Sequence, residues 1–170
     1  MGQRGRAEWF DDHAILVTLD AEKEAATAQR FRVEAYGSHD LDASLLQMAS
    51  LRFLPSGDPR LTETVDAIAG GLDDNGWLRR YRIDDGFGKP EVAFAICTFW
   101  YVEALAVLGR AREAEATLQR AFEAPSLLGL LSEDFDASGR RLWGNYPQAY
   151  SHVGLIHAAF AASPRWSDIL

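Results

Sequence analysis

Cysteine is almost missing: Cys97 is the single one in 170 residues. One thiol closes no internal disulfide, which fits a reducing, cytoplasmic compartment. Cys97 sits in an apolar run and reads as a core residue rather than a nucleophile. Positive charge is also scarce. Seventeen Lys and Arg stand against twenty-five Asp and Glu, for a formal net charge of −8. Neutralising phosphates takes clustered Lys and Arg, so no nucleic-acid partner is expected. Long apolar runs are lacking too. The longest, from Val92 to Leu108, carries Glu103 and falls short of the roughly 18–20 residues of a membrane span. No membrane association is expected, and no apolar stretch follows Arg4 and Arg6 to make a secretory leader.

Several catalytic signatures are absent. There is no Gly-x-Ser-x-Gly elbow and no glycine-rich phosphate loop ending in Lys-Ser or Lys-Thr. His152 and His157 are five apart, not the three or four that share a helix face, so no metal site is expected there. His152 reads equally as a cleft residue or as a satisfied core histidine. No cofactor requirement is legible.

What is present is an ordinary globular balance, 48% hydrophobic and 25% charged, long enough for one domain with a sizeable core. Residues 1–35 are weakly patterned. Beyond them the chain reads as all-α. Asp42-Ala43-Ser44 opens an apolar helix to Leu51. Asp58 and Pro59 are an N-cap and first helical residue. Leu61, Val65, Ile68, Ala69 and Leu72 then form one stripe. Glu91 to Leu108 is apolar on every side, as is Pro147 to Ala162, and a helix of that kind is buried all round. Ala111 to Glu123 between them is amphipathic.

Buried and amphipathic helices therefore alternate, as in layered α-hairpins with an inner and an outer layer. The long connections, 73–90 and 124–146, both lead into inner helices. Loops of that length are usually functional, and helix N-termini carry positive dipole ends. The site is expected at that face, from the segments near 36–42, 73–90 and 124–146. The second offers Trp77, Arg79, Arg80, Tyr81, Arg82, Asp84 and Asp85. The third offers Glu133, Asp134, Asp136, Trp143 and Asn145. Rings, guanidinium groups, carboxylates and amides facing one cleft suit a neutral polyhydroxylated ligand; an ordinary charged loop face is the alternative. The acid cluster at 133–136 reads as a solvated turn or as carboxylates at a pocket lip.

Six blocks carry a resemblance from about Tyr36 to Ala162. They are Tyr36-Gly37-Ser38 with Leu41 to Leu46; Phe53-Leu54-Pro55 with Asp58-Pro59-Arg60; Arg80-Tyr81 with Asp84-Asp85-Gly86; Cys97 to Trp100; Gly129 to Asp134; and Gly144 to His152. In this order and spacing they resemble the C-terminal part of glycoside hydrolase family 15, the glucoamylase-like enzymes that include bacterial trehalases. The resemblance implies that residues 36–170 form part of an (α/α)6 toroid. It implies inverting hydrolysis of an α-glucosidic bond in starch ends, isomaltooligosaccharides or trehalose. Inversion sets two carboxyl groups roughly 6.5–9.5 Å apart, with water beneath the sugar. Glu133 matches the family's general base and Arg80 the arginine on the terminal glucose. Asp42, Tyr81, Glu91 and Trp143 are weaker matches in the cleft.

The family's general acid lies N-terminal to all these blocks, and Glu8-Trp9-Phe10 is no convincing substitute. The expectation is an incomplete catalytic domain, or one half of a split enzyme completed by an N-terminal half-domain. The alternative is a non-catalytic helical module that binds sugar or protein. An open toroid would also expose apolar helix flanks and favour self-association.

Overall fold

A computed structural model describes residues 40–86, 88–123, 128–138 and 140–164. The weakly patterned segment 1–35 and the Tyr36-Gly37-Ser38 block lie outside the described residues.

Asp42 caps the first turn of the described residues. Its carboxylate accepts the Ser44 backbone N–H at 2.6 Å and starts a 3₁₀ turn, Ala43–Leu46, that runs into helix α1 (Gln47–Ser50). Helix α2 (Pro59–Leu72) starts where the sequence predicts. Asp58 accepts the Arg60 N–H at 2.9 Å. Pro59 sits where a missing N–H is harmless and a fixed φ already suits the helix. The stripe Leu61, Val65, Ile68 and Leu72 is buried.

The connections are not the plain loops that an all-α reading expects. Residues after α2 form a hairpin of β1 (Asp73–Asp74) and β2 (Trp77–Leu78). Asn75 and Gly76 turn it with φ of 53° and 90°. Positive φ at both central positions is what Asn-Gly supplies in a tight hairpin. Further on, β3 (Ala93–Phe94), β4 (Asp134–Asp136) and β5 (Arg141–Trp143) form an antiparallel sheet in the order β3-β4-β5. The physical reason is backbone pairing. Leu131 and Phe135 enter the core, and a buried segment must bond its N–H and C=O groups somewhere. Short ladders do that where no helix can.

Helix α3 (Ala95–Val107) is the centre of the molecule. Ile96, Phe99, Val102 and Leu105 are at most 1% exposed. The burial on all sides expected from Glu91 to Leu108 holds for most of the helix but not at its ends, where Glu91 and Val107 are exposed, and Ala93–Phe94 are strand. Gly109, at φ 75°, turns the chain into α4 (Ala111–Phe122), which buries Ala114, Leu118 and Ala121 and leaves Arg112, Glu113 and Glu115 in solvent.

Helix α5 (Ala149–Ala162) departs from expectation. It was expected to be buried all round, but it buries only Ser151, Gly154 and Ala158. Tyr150, Val153, Ile156 and Phe160 are 46–76% exposed. The packed side is the small-residue side. A Cβ on Gly154 would collide with Ile96 and Phe99 of α3. Small residues let the two helices approach closely, and the large apolar side chains then point the other way.

Candidate functional site

Four segments meet at the start of α3. The Ala95 N–H donates to the Glu133 carbonyl at 3.0 Å. The Leu78 N–H donates to Thr98 Oγ1 at 3.0 Å. The Ala43 N–H donates to the Arg80 carbonyl at 2.8 Å. The Gln148 N–H, at the start of α5, donates to the Leu131 carbonyl at 2.9 Å. The beginnings of the 3₁₀ turn, α3 and α5 therefore share one end with the two long connections. That is the face the alternation of loop lengths indicated.

Glu133 is positioned by its neighbours on both sides. Leu131 and Ser132 are buried, and the Ser132 hydroxyl donates to the Asp134 carbonyl. This tight bend turns Glu133 out of the core just before β4. Asn145, two residues beyond β5, then clamps it. Its backbone N–H and its side-chain Nδ2 both donate to Glu133 Oε2, at 3.2 and 2.7 Å. The Glu133 N–H returns a bond to the Asn145 carbonyl at 2.9 Å. One carboxylate oxygen is thus fixed. The sequence offers Asn145 as a cleft amide for ligand hydroxyls; the structure turns that amide onto Glu133 instead.

Asp134 is the neighbour that matters most. Its carboxyl is pushed up from the ordinary aspartate value of 3.8 to about 6, chiefly by burial and then by the charge of Glu133. It lies in register with Phe94 on β3 and Trp143 on β5, so the three share one face of the sheet. Trp143 is half exposed, with the Arg141 guanidinium 5.4 Å above its ring. Phe94 and Trp100 both approach the Tyr150 ring, at 6.4 and 6.2 Å between centroids. An acid pair therefore stands among aromatic rings. Phe94 and Tyr150 were not singled out from sequence because their apolar runs read as core.

The second cluster is Asp42 with Arg80. Asp42 is 1% exposed, and its Oδ1 accepts Arg80 Nε–H at 2.6 Å. Burial opposes the guanidinium charge, but the hydrogen bond and field of Asp42 outweigh it and raise the Arg80 pKa. The contact uses Nε and leaves the Nη edge of a side chain that is 37% exposed. Arg80 also lies 5.9 Å above the Tyr81 ring, whose hydroxyl donates to Asp85. That bond, ahead of burial, raises the Tyr81 pKa. Glu91 is exposed just ahead of β3.

Not every residue of the long connections joins the site. Trp77 is buried, 4.6 Å from Phe135 and 6.4 Å from Phe99 between ring centroids. Arg79 is tied to Asp74 and the Pro90 carbonyl, and Arg82 to the carbonyls of Gly71 and Asp73. Two of the three arginines thus staple their own loop. His152 resolves as a structural histidine. Its Nε2 accepts the Leu131 N–H at 3.2 Å, and its Nδ1 lies 2.7 Å from the Gln148 carbonyl, which fixes Nδ1 as the protonated nitrogen. Cys97 is fully buried, and burial pushes its thiol far up. The charges of Arg80, Asp42 and Asp134 all act on that thiol, so the two clusters flank the first turn of α3.

Known proteins share this architecture. A solved glycosidase superposes with a TM-score of 0.67 and 22% identity, covering 79% of this chain and 39% of its own. A glycosidase variant in complex with glucose gives 0.66 over the same shares. The trehalase of Thermoplasma acidophilum is 43% identical over 128 residues, 75% of this chain. The trehalase of Mycobacterium tuberculosis is 36% identical over 160 residues. That alignment covers 92% of this chain, a share that necessarily includes Glu133. The chain spans 22% and 24% of these two relatives. The family model for glycosyl hydrolases family 15 matches residues 1–124, taking in the weakly patterned N-terminal segment as well. The chain belongs to glycosyl hydrolases family 15.

Proposed function

We propose that this chain carries the base side of the active site of an inverting glycosidase that cleaves an α-glucosidic bond, with trehalose the favoured substrate. The observation that carries this is the clamp of Asn145 on Glu133 Oε2 beside the start of α3. With Oε2 held, we assign Oε1 to the attacking water. Water attacks C1 from the face opposite the leaving oxygen, the C1–O bond breaks, and Glu133 takes the water proton. The leaving oxygen takes its proton from a general acid. We assign that acid to a segment outside residues 40–164, in a further part of the protein or on a partnering N-terminal half-domain. Arg80, held by Asp42, is assigned to glucose hydroxyls, because a planar guanidinium can bond two neighbouring oxygens at once. Tyr81 and Trp143 are assigned to sugar faces, and Glu91 to the lip. Trehalose is favoured by the relatives, which are trehalases; a neighbour of this fold is in complex with glucose. The helices are assigned to part of an (α/α)6 toroid whose other members would cover α5.

The exposed row Tyr150, Val153, Ile156 and Phe160 favours a second reading. In it the chain is a non-catalytic helical module that binds sugar or protein, or self-associates, through that edge.

α-Glucosyl fluoride separates the two, since fluoride leaves without an acid's help. Proton NMR of the chain with this substrate is expected to show β-glucose as the first product, and none with Glu133→Gln. α-Glucose first, or undiminished release by Glu133→Gln, would sink the base assignment. No release, with glucose binding lost in Arg80→Ala, would favour the module.

A further inference from the structure

Neighbouring strand residues normally point to opposite faces. Glu133 and Asp134 escape that rule because Glu133 lies in the bend before β4. Gly144, directly after β5, makes the arrangement possible. A Cβ there would sit 2.9 Å from Asp134 Oδ2 and 3.1 Å from Glu133 Oε2. Both carboxyl groups thus close over one small space that only glycine leaves open. Gly144 has φ 72°, a second reason for glycine.

We propose that Asp134 is a positioning residue for Glu133, the member of a two-carboxylate unit that takes up the first proton as pH falls and so leaves the single negative charge on Glu133. The inference rests on reading Glu133 as the base. Its geometry leaves little to oppose a shared charge. The partners of Asp134 across the sheet, Phe94 and Trp143, are uncharged. The nearest cation along β5, Arg141, is placed over the Trp143 ring. From α3 the facing group is the Cys97 thiol, beyond which lie Arg80 and Asp42, already paired. From α5, His152 has both ring nitrogens engaged. Two carboxylates this close do not both ionise freely. Glu133 Oε2 is already the acceptor of two N–H bonds, so the proton falls to Asp134. The shift of the Asp134 carboxyl to about 6, from burial and then from Glu133, agrees with that assignment.

Carbon-13 NMR titration of the aspartate carboxyls in the intact chain tests this without turnover. The Asp134 midpoint is expected near 6, and Glu133→Gln should lower it by about one pH unit while burial keeps it above the ordinary range. An unchanged midpoint in Glu133→Gln overturns the proposal. Because this readout needs no substrate, it fails or succeeds separately from the base assignment. Where the chain releases fluoride from α-glucosyl fluoride, its pH–rate profile should bend near 6. Asp134→Asn should remove that bend and follow the wild-type curve on the acid side. The same bend persisting in Asp134→Asn also overturns the proposal, since a merely structural carboxyl would leave it in place.

Discussion

One buried oxygen organises the entry to the site. Asp42 Oδ1 accepts both the Ser44 N–H and the Arg80 Nε–H, each at 2.6 Å. It starts the 3₁₀ turn at Ala43–Leu46 and aims the arginine assigned to glucose. Asp42→Asn keeps a capping oxygen but loses the charge. It should cost about 1.5–3 kcal/mol in chemical denaturation, the range for a hydrogen bond to a charged group. Asp42→Ala should lose about 1 kcal/mol more with the cap. A double-mutant cycle with Arg80→Ala checks that the larger share belongs to the pair.

Stability should fall as pH rises through the Asp134 transition. The folded chain holds this proton up to about 6, and the unfolded chain releases it near 3.8. In that window the folded state binds more protons, so each step up in pH favours unfolding. Half-burial and solvent screening reduce the size to about 1–2 kcal/mol. Thermal melts of the wild type against Asp134→Asn between pH 4 and 7 should show the decline in the first and a flatter curve in the second.

His152 ties α5 to the segment that presents Glu133. His152→Ala leaves the Leu131 N–H without its acceptor, a loss of about 1–3 kcal/mol for a buried donor. Hydrogen exchange at the Leu131 amide should quicken more than exchange within α3. Equal protection in both proteins would show that the bond to Nε2 does not hold this segment.

The two sides of α5 should respond oppositely to substitution. Gly154→Ala drives a methyl into Ile96 and Phe99, and overpacking of this kind costs about 1–3 kcal/mol. Phe160→Ser, on a residue 76% exposed, should leave the melting temperature nearly unchanged. If that edge joins copies of the chain, Phe160→Ser should also reduce the apparent mass in sedimentation at high concentration.

Much of the fold was legible because its signals are local. Asp58-Pro59 announces α2, and the apolar run from Ala95 announces α3, since caps and burial patterns act within a few residues. The Asn75-Gly76 turn is equally local, but within the long connection 73–90 its two-residue strands carry no pattern of their own. The sheet at 93–94, 134–136 and 141–143 was not legible, because two- and three-residue strands carry no periodicity to read. The site divides in the same way. Glu133 and Arg80 were singled out by the motif blocks. Arg79 and Arg82 looked just like Arg80, and only their bonds to Asp74, Pro90, Gly71 and Asp73 separate staple from candidate ligand.

By itself the sequence determined which segments are helical and where the long connections fall. It also placed the acid cluster at 133–136, because turn chemistry and hydrophobic pattern are properties of neighbouring residues. Tertiary structure decided which carboxyl group in that cluster is pushed upward. Glu133 and Asp134 differ by one position, yet Asn145 bonds the first and burial between Phe94 and Trp143 acts on the second. It also decided which side of α5 the other described residues cover. Composition fixes how apolar a helix is, but only packing decides which of its faces finds a partner.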